Sequence, residues 1–278
     1  MLTKVSAYSF LDSAQALDVS EQGIYNDFIH IKEIEGLGPV EAAISTTPYG
    51  SVDGEAYSGS HVASRNIVIT LGLNSDWDTW PIEKLRRLLY RYFMPKQKVR
   101  LVFESDDALP DMYIEGYTET VEPALFAKDP EIQVSIICPD PYFYGLTPIT
   151  ATGETPEDEF VTVNYEGSID TGFLLTINHE ATPTPNNLYT HVGDEDNGVF
   201  GVSIGVSSTV YFYMNSILGQ KFARTVDTSS GVITNRIAQV HPGSVWPTLK
   251  PGLNDIYVYS DMGEQTWSVQ YVPKFGGL

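Results

Sequence analysis

The sequence predicts a mainly β protein in two domains: residues 1–145 as a β-sheet with one helix and a hairpin arm, and residues 146–278 as an antiparallel β-sandwich. Three observations carry this reading. Short runs in which apolar and polar residues alternate recur along the chain between Gly, Pro, Asn and Asp, and a period of two puts one face of a strand into a core. Only one stretch shows the helical period. The composition, 42% hydrophobic with 23 Gly and 17 Pro in 278 residues, suits a turn-rich β protein with chain enough for two cores.

In order, residues 3–11 (TKVSAYSFL) and 28–34 (FIHIKEI) read as strands, and EGLGP at 35–39 turns the chain. Residues 41–46 then lead into a polar, glycine-rich excursion that returns through a β-branched run at 66–73. The Pro48-Tyr49-Gly50 corner and the Asp53-Gly54 dipeptide fold this excursion into a hairpin, because Gly accepts positive φ at a tight tip. An arm without an apolar repeat cannot bury itself, so its surface is expected on another molecule.

The one helix is predicted in SDWDTWPIEKLRRLLYRYFM. Pro81 suits its first turn, Asp78 or Thr79 its cap, and Pro95 its end. Ile82, Leu85, Leu88, Leu89, Tyr92 and Phe93 form an apolar stripe for packing on a sheet. Lys84, Arg86, Arg87, Arg91, Lys96, Lys98 and Arg100 put 7 of the 16 basic residues close together. Two readings stay open for them: a solvated face, or a patch that docks an acidic face of a neighbouring copy. Strands follow in 98–105, 111–125 and 129–138, and the last ends at CPDPYFYG, read as the domain exit.

Residues 146–159 read as a linker or an approach to the first strand of the second half. Eight short strands are then predicted: FVTVNYEG, GFLLTINHEA, GVFGVSIG, STVYFYMNS, KFARTVD, GVITNRIA, NDIYVYSD and QTWSVQYVP. Their spacing is that of an antiparallel sandwich.

A formal charge of −20 disfavours nucleic acid and anionic membranes as partners. Asp12, Asp18 and Glu21 interrupt any signal-peptide core and no run of 18 apolar residues exists, so a soluble chain without a secretion signal is expected. The single Cys138 excludes an intrachain disulfide and a cysteine zinc site, and reads as a small core residue. His30, His61, His179, His191 and His241 show no metal-ligand spacing. Asp194-x-Asp196 starts like a calcium loop but lacks the next acidic residue and reads as a hairpin turn at Asn197-Gly198. No phosphate loop, nucleophile elbow or Cys/His pairing is present, so no enzyme activity, cofactor or metal is expected.

GLGP…DGEAY…SRNIVITLGL, CPDPYFYG, and WPTLKPGLNDIYVYSD…WSVQYVPKFGGL, in this order, resemble the distal tail proteins of siphophages, the siphovirus tail component family. The resemblance implies an N-terminal belt domain that assembles six copies into a ring and a C-terminal galectin-like sandwich. It implies a hub joining the major tail or tube protein to the tail-associated lysin or tail fibre and to receptor-binding protein. The place implied is the distal tip of the virion tail, after synthesis in the host bacterial cytoplasm. Carried over residue by residue, Asp53, Gly54 and Tyr57 lie on the arm that reaches a neighbouring protomer, and Arg65 anchors its return. By charge alone, Asp53 and Glu55 are expected to dock on the helix's basic cluster in another copy, with Arg87 and Arg91 as the contact residues. Pro251, Gly252 and Asn254 form a turn between sandwich strands. The sandwich lacks the His-x-Asn-x-Arg and Trp-x-x-Glu pattern of sugar-binding galectins. A carbohydrate-binding adhesin is the alternative function, resting on Tyr211, Tyr213, Trp246, Tyr257, Tyr259 and Trp267 as stacking residues.

Overall fold

The computed structural model of the protein describes residues 2–9, 16–18, 28–76, 78–105, 110–124, 128–154, 160–179, 182–193, 198–261 and 265–278. Asp194 and Asp196 of the calcium-like stretch lie outside the described residues. Contacts divide the chain into two units, Met1–Leu146 with Phe275–Leu278, and Thr147–Lys274. The sequence assigned the last four residues to the second domain; they return to the first, where Phe275 and Leu278 pack on its core.

The first unit holds strands β1 (Leu2–Ser9), β2 (Ala16–Asp18), β3 (Ile29–Glu35), β4 (Ala42–Pro48), β5 (Glu55–Val62) and β6 (Arg65–Leu73), then helix α1 (Ile82–Tyr92). Strands β7 (Lys98–Ser105), β8 (Met112–Pro123), β9 (Glu131–Cys138) and β10 (Phe143–Gly145) complete it. The sheet runs β2-β1-β7-β8-β9-β6-β3, with β10 joined to β8, while β4 and β5 pair with each other. The alternation in β9 works as predicted: Ile132, Val134, Ile136 and Cys138 are all buried. Their cross-strand partners on β6 are Leu71, Ile69, Ile67 and Arg65. Three of those pairs are aliphatic, which is the unit of sheet stabilisation; the fourth sets a guanidinium into the core.

Helix α1 buries Leu85, Leu89 and Tyr92, with Phe93 just beyond it, in the same core as the sheet. Pro81 is the N-cap rather than a first-turn residue, with extended φ and ψ of −62° and 152°. Its carbonyl accepts the first helical bonds, from the amides of Lys84 and Leu85. Neither Asp78 nor Thr79 caps the helix. The Asp76 carboxylate instead accepts bonds from the Thr79 hydroxyl at 2.6 Å and the Asp78 amide at 3.2 Å, closing the turn before the helix.

The second unit is an antiparallel sandwich. Its strands are β11 (Ile149–Glu154), β12 (Phe160–Tyr165), β13 (Leu174–His179), β14 (Thr182–Val192), β15 (Phe200–Val206), β16 (Val210–Asn215), β17 (Phe222–Asp227), β18 (Ile233–Asn235), β19 (Gly252–Ser260) and β20 (Thr266–Tyr271). A six-stranded sheet, β11-β20-β13-β16-β17-β18, and a four-stranded sheet, β12-β19-β14-β15, enclose one core of residues from both. Two strands go beyond the eight predicted. β11 occupies the stretch read as linker. β14 carries Pro183 and Pro185, which argue against a strand, but they fall in the irregularity between the paired positions Thr182 and Asn186, where the ladder asks for no N–H. GVITNRIA is a strand only over Ile233–Asn235, because the Asn235 side chain accepts the Ile237 amide at 2.9 Å and opens a 3-10 turn.

Candidate inter-subunit interface

The excursion between β3 and β6 is the hairpin β4–β5, registered from Ala42 opposite Val62 to Pro48 opposite Glu55. At its tip the Tyr49 amide meets the Gly54 carbonyl, and Gly54 takes φ +105°, the conformation that the Asp53-Gly54 pair foretold. Every residue of β4 is exposed. So are Ile44 at 64%, Val52 at 72% and Tyr57 at 67%, together with Tyr49 and Val62. Two polar pairs bridge the strands, Thr47 with Ser58 at 2.8 Å and the Thr46 hydroxyl donating to the Glu55 carboxylate, and Tyr57 meets Ser60 along β5 at 2.7 Å. A two-stranded hairpin is marginal in water by itself. This one also holds aliphatic and aromatic side chains in solvent and leaves both edges with unpaired backbone groups, the two features that favour burial against another chain.

The root of the arm is built differently. Arg65, the first residue of β6, is 2% exposed. Its Nε donates to the Pro141 carbonyl at 2.7 Å, its Nη1 to the carbonyls of Gly36 and Gly38, both at 2.5 Å, and its Nη2 to the Gly276 carbonyl at 2.6 Å. Its guanidinium carbon lies 4.6 Å from the centre of the Phe143 ring. Arginine suits this place because its planar fork offers five donors and sheds water more readily than an ammonium. Burial lowers its pKa, opposed by the Cys138 sulfur beside it. Arg65 is covered by its own chain, and these bonds anchor the return of the arm from the inside rather than through contact with another copy. Gly36, with φ +85°, has no room for a side chain either, since a Cβ would stand 2.1 Å from the Asn66 carbonyl oxygen.

Asp53, Gly54, Glu55 and Tyr57 stand together on the exposed arm. Arg87 and Arg91, one helical turn apart on α1, are exposed as well. Arg91 has a local interaction too, and Lys84, Arg86, Lys98 and Arg100 of the same cluster are engaged nearby. Lys84 sits over the Trp80 ring at 3.9 Å and donates to the Thr79 carbonyl, and Arg86 reaches the Ala124 carbonyl. Lys98 and Arg100 share Glu115 at 2.6 and 2.5 Å.

In the second unit, Trp267 is 4% exposed and lies in the core, and Trp246 packs on Phe200. Tyr257 stacks on His191 at 4.5 Å and Tyr259 on Tyr189 at 4.9 Å, so one face of each ring is already taken. Tyr213 is half-buried and Tyr211 is exposed. Asn254 fills the expected turn role: its side chain accepts from the Lys250 amide and donates to the carbonyls of Lys250 and Gly252. Cys138 is buried, and that burial pushes its thiol up to about 12, a core residue rather than a nucleophile. Among the described residues, no group of His, Cys, Asp and Glu is placed to hold a metal ion, and no helix is long and apolar enough to cross a membrane.

Sequence reasoning missed the Arg65 cage as a unit. Its parts were visible singly, in EGLGP, SRN, CPDPYFYG and KFGGL. Nothing in one dimension says that Gly36, Gly38, Pro141 and Gly276 turn their carbonyls to a common point.

Residues 17–116, which span the arm, Arg65 and α1, match the family described as phage tail protein RIFT-related domain. The whole chain shares its fold with a solved structure of the SPP1 Dit protein, described as a paradigm of the hub adsorption apparatus in phages that infect Gram-positive bacteria. The TM-score is 0.68 at 15% identity, covering 98% of this chain and 99% of that one. Chains of the phage p2 baseplate in its activated conformation, with strontium and with calcium, align at a TM-score of 0.49 and 9% identity. They cover 96% and 97% of this chain and 97% and 98% of theirs. No curated protein sequence matches the chain. The domain match over residues 17–116 and the fold shared along the chain agree with the resemblance to siphophage distal tail proteins.

Proposed function

We propose that the protein is the hub of a phage tail tip, closing six copies into a ring that joins the tail tube to the tail-associated lysin or fibre and to the receptor-binding apparatus. The observation that carries this is the arm: a hairpin with no core of its own, apolar residues in solvent, and a root fixed by a buried cation. A heterologous contact of that kind propagates into filaments unless its rotation closes, and a ring is the closed solution. The fold shared with the SPP1 protein, a paradigm of the hub adsorption apparatus, supports the placement at the tail tip. The acidic tip residues Asp53 and Glu55 fit Arg87 and Arg91 of the next copy by charge.

Electron-microscopic projections of the purified protein test this. Ring-shaped particles with sixfold symmetry are expected. Filaments, or rings of another order, would replace the hexamer by a different assembly.

A further inference from the structure

Both legs of the arm start beside Arg65. The outgoing leg leaves β3 at Glu35 and passes through Gly36 and Gly38; the returning leg leaves β5 at Val62 and enters β6 at Arg65 itself. One nitrogen, Nη1, accordingly ties the two legs together. The other terminal nitrogen is held by Gly276, 211 residues further along the chain. The segment Phe275–Leu278 also covers the outgoing leg directly. The Leu278 amide donates to the Leu37 carbonyl at 3.0 Å. A Cβ on Gly277 would stand 2.9 Å from the Pro39 nitrogen and 3.0 Å from the Gly38 carbonyl carbon, so this leg and the returning segment lie backbone against backbone.

We propose that Phe275–Leu278 is a lock on the root of the arm, acting through Arg65, so that only a chain whose second unit has been completed and has returned to the first presents the arm in its assembling orientation. The proposal rests on the arm being the contact between copies. Its physical basis is that β4 and β5 pair with each other and β4 is exposed along its length, so the root is what orients the arm. At that root a cation without a carboxylate depends on four carbonyls, one of which belongs to the returning segment. Without that segment one donor loses its partner, the Leu37 carbonyl is freed, and water reaches the guanidinium. The arm then pivots about its glycine-rich leg. Arg65 is a positioning residue here, and the device makes assembly wait for the complete fold, which guards against rings poisoned by partial chains.

Two variants test it, Gly277→Val, which wedges the segment off the leg, and a chain ended after Lys274, which removes the segment without a clash. Each is followed by hydrogen exchange and by mass. The lock predicts that peptides over residues 34–41 exchange at least tenfold faster while β8 and β9 keep their protection. It also predicts loss of the oligomer at a concentration where the unaltered chain is assembled. Unchanged exchange over 34–41 in both variants overturns the lock, and so does an oligomer that forms as readily as before. If the unaltered chain does not assemble at any concentration, the ring reading fails while the exchange result still decides whether the root is locked.

Discussion

A guanidinium removed from water costs several kcal/mol unless its N–H groups are met, and Arg65 meets them with backbone oxygens from three separate stretches of chain. Lysine cannot replace it, because a compact ammonium with three donors does not span that cage. Arg65→Lys should lower the unfolding free energy of the first unit by about 3 kcal/mol or more, read from a urea titration; a loss below about 0.5 kcal/mol would show that water enters the cage freely. At the arm tip, Gly54 has open space around its Cα but a φ of +105°. Gly54→Val is therefore a pure backbone test, expected to strain the tip by about 1–3 kcal/mol and to weaken assembly without moving the Tm of either unit.

His179 gives a pH prediction for the second unit. Burial, its leading influence, lowers its pKa below the ordinary 6.5; the Gln265 side chain opposes this and Arg236 adds to it. The folded state therefore binds fewer protons than the unfolded one as pH falls below about 6.5, so stability is lost on acidification and recovered as pH rises through that window. Melting of the second unit should shift down between pH 7 and pH 5, and His179→Gln should flatten that shift. A slope left intact in the variant would assign it to other groups.

At the scale of elements, the strands that face a core were the legible ones. β9 and β13 could be read from alternation because each turns one row of aliphatic residues inward. α1 was legible for the same reason at a period of 3.6, although the role of Pro81 was displaced by one position, since a proline's extended ψ serves an N-cap as well as its fixed φ serves the first turn. β11 was hidden by its Thr, Gly and Glu, with no inward aliphatic row to mark an edge strand. The arm was legible as a hairpin from Asp53-Gly54 and the absence of apolar periodicity, but the exposure of Ile44, Val52 and Tyr57 is a fact of three dimensions.

The arm's independence of the core makes a clean experiment. Deletion of residues 49–60 should leave the melting of both units unchanged and abolish assembly; rings formed by the deletion would move the interface elsewhere. Reversing Arg87 and Arg91 to Glu should weaken assembly about tenfold at low salt and by less at high salt, as screened surface pairs require. Assembly that ignores both the reversal and the salt would leave α1 outside the interface.

For the whole molecule, the chain combines two closed cores with one structure that has no core. The first unit's sheet and helix and the sandwich each enclose a buried apolar core. The hairpin keeps Ile44, Val52 and Tyr57 in solvent while its root is fixed by a buried cation, and the proposed assembly rests on that contrast. The excess of 36 acidic over 16 basic residues disfavours the adsorption of DNA to this chain.

The mass of the intact chain in solution, by light scattering at two concentrations, bears on this most directly. Six copies of the 30.8 kDa chain, about 185 kDa, at both concentrations is the predicted result. A mass of 30.8 kDa at both would contradict self-assembly through the arm.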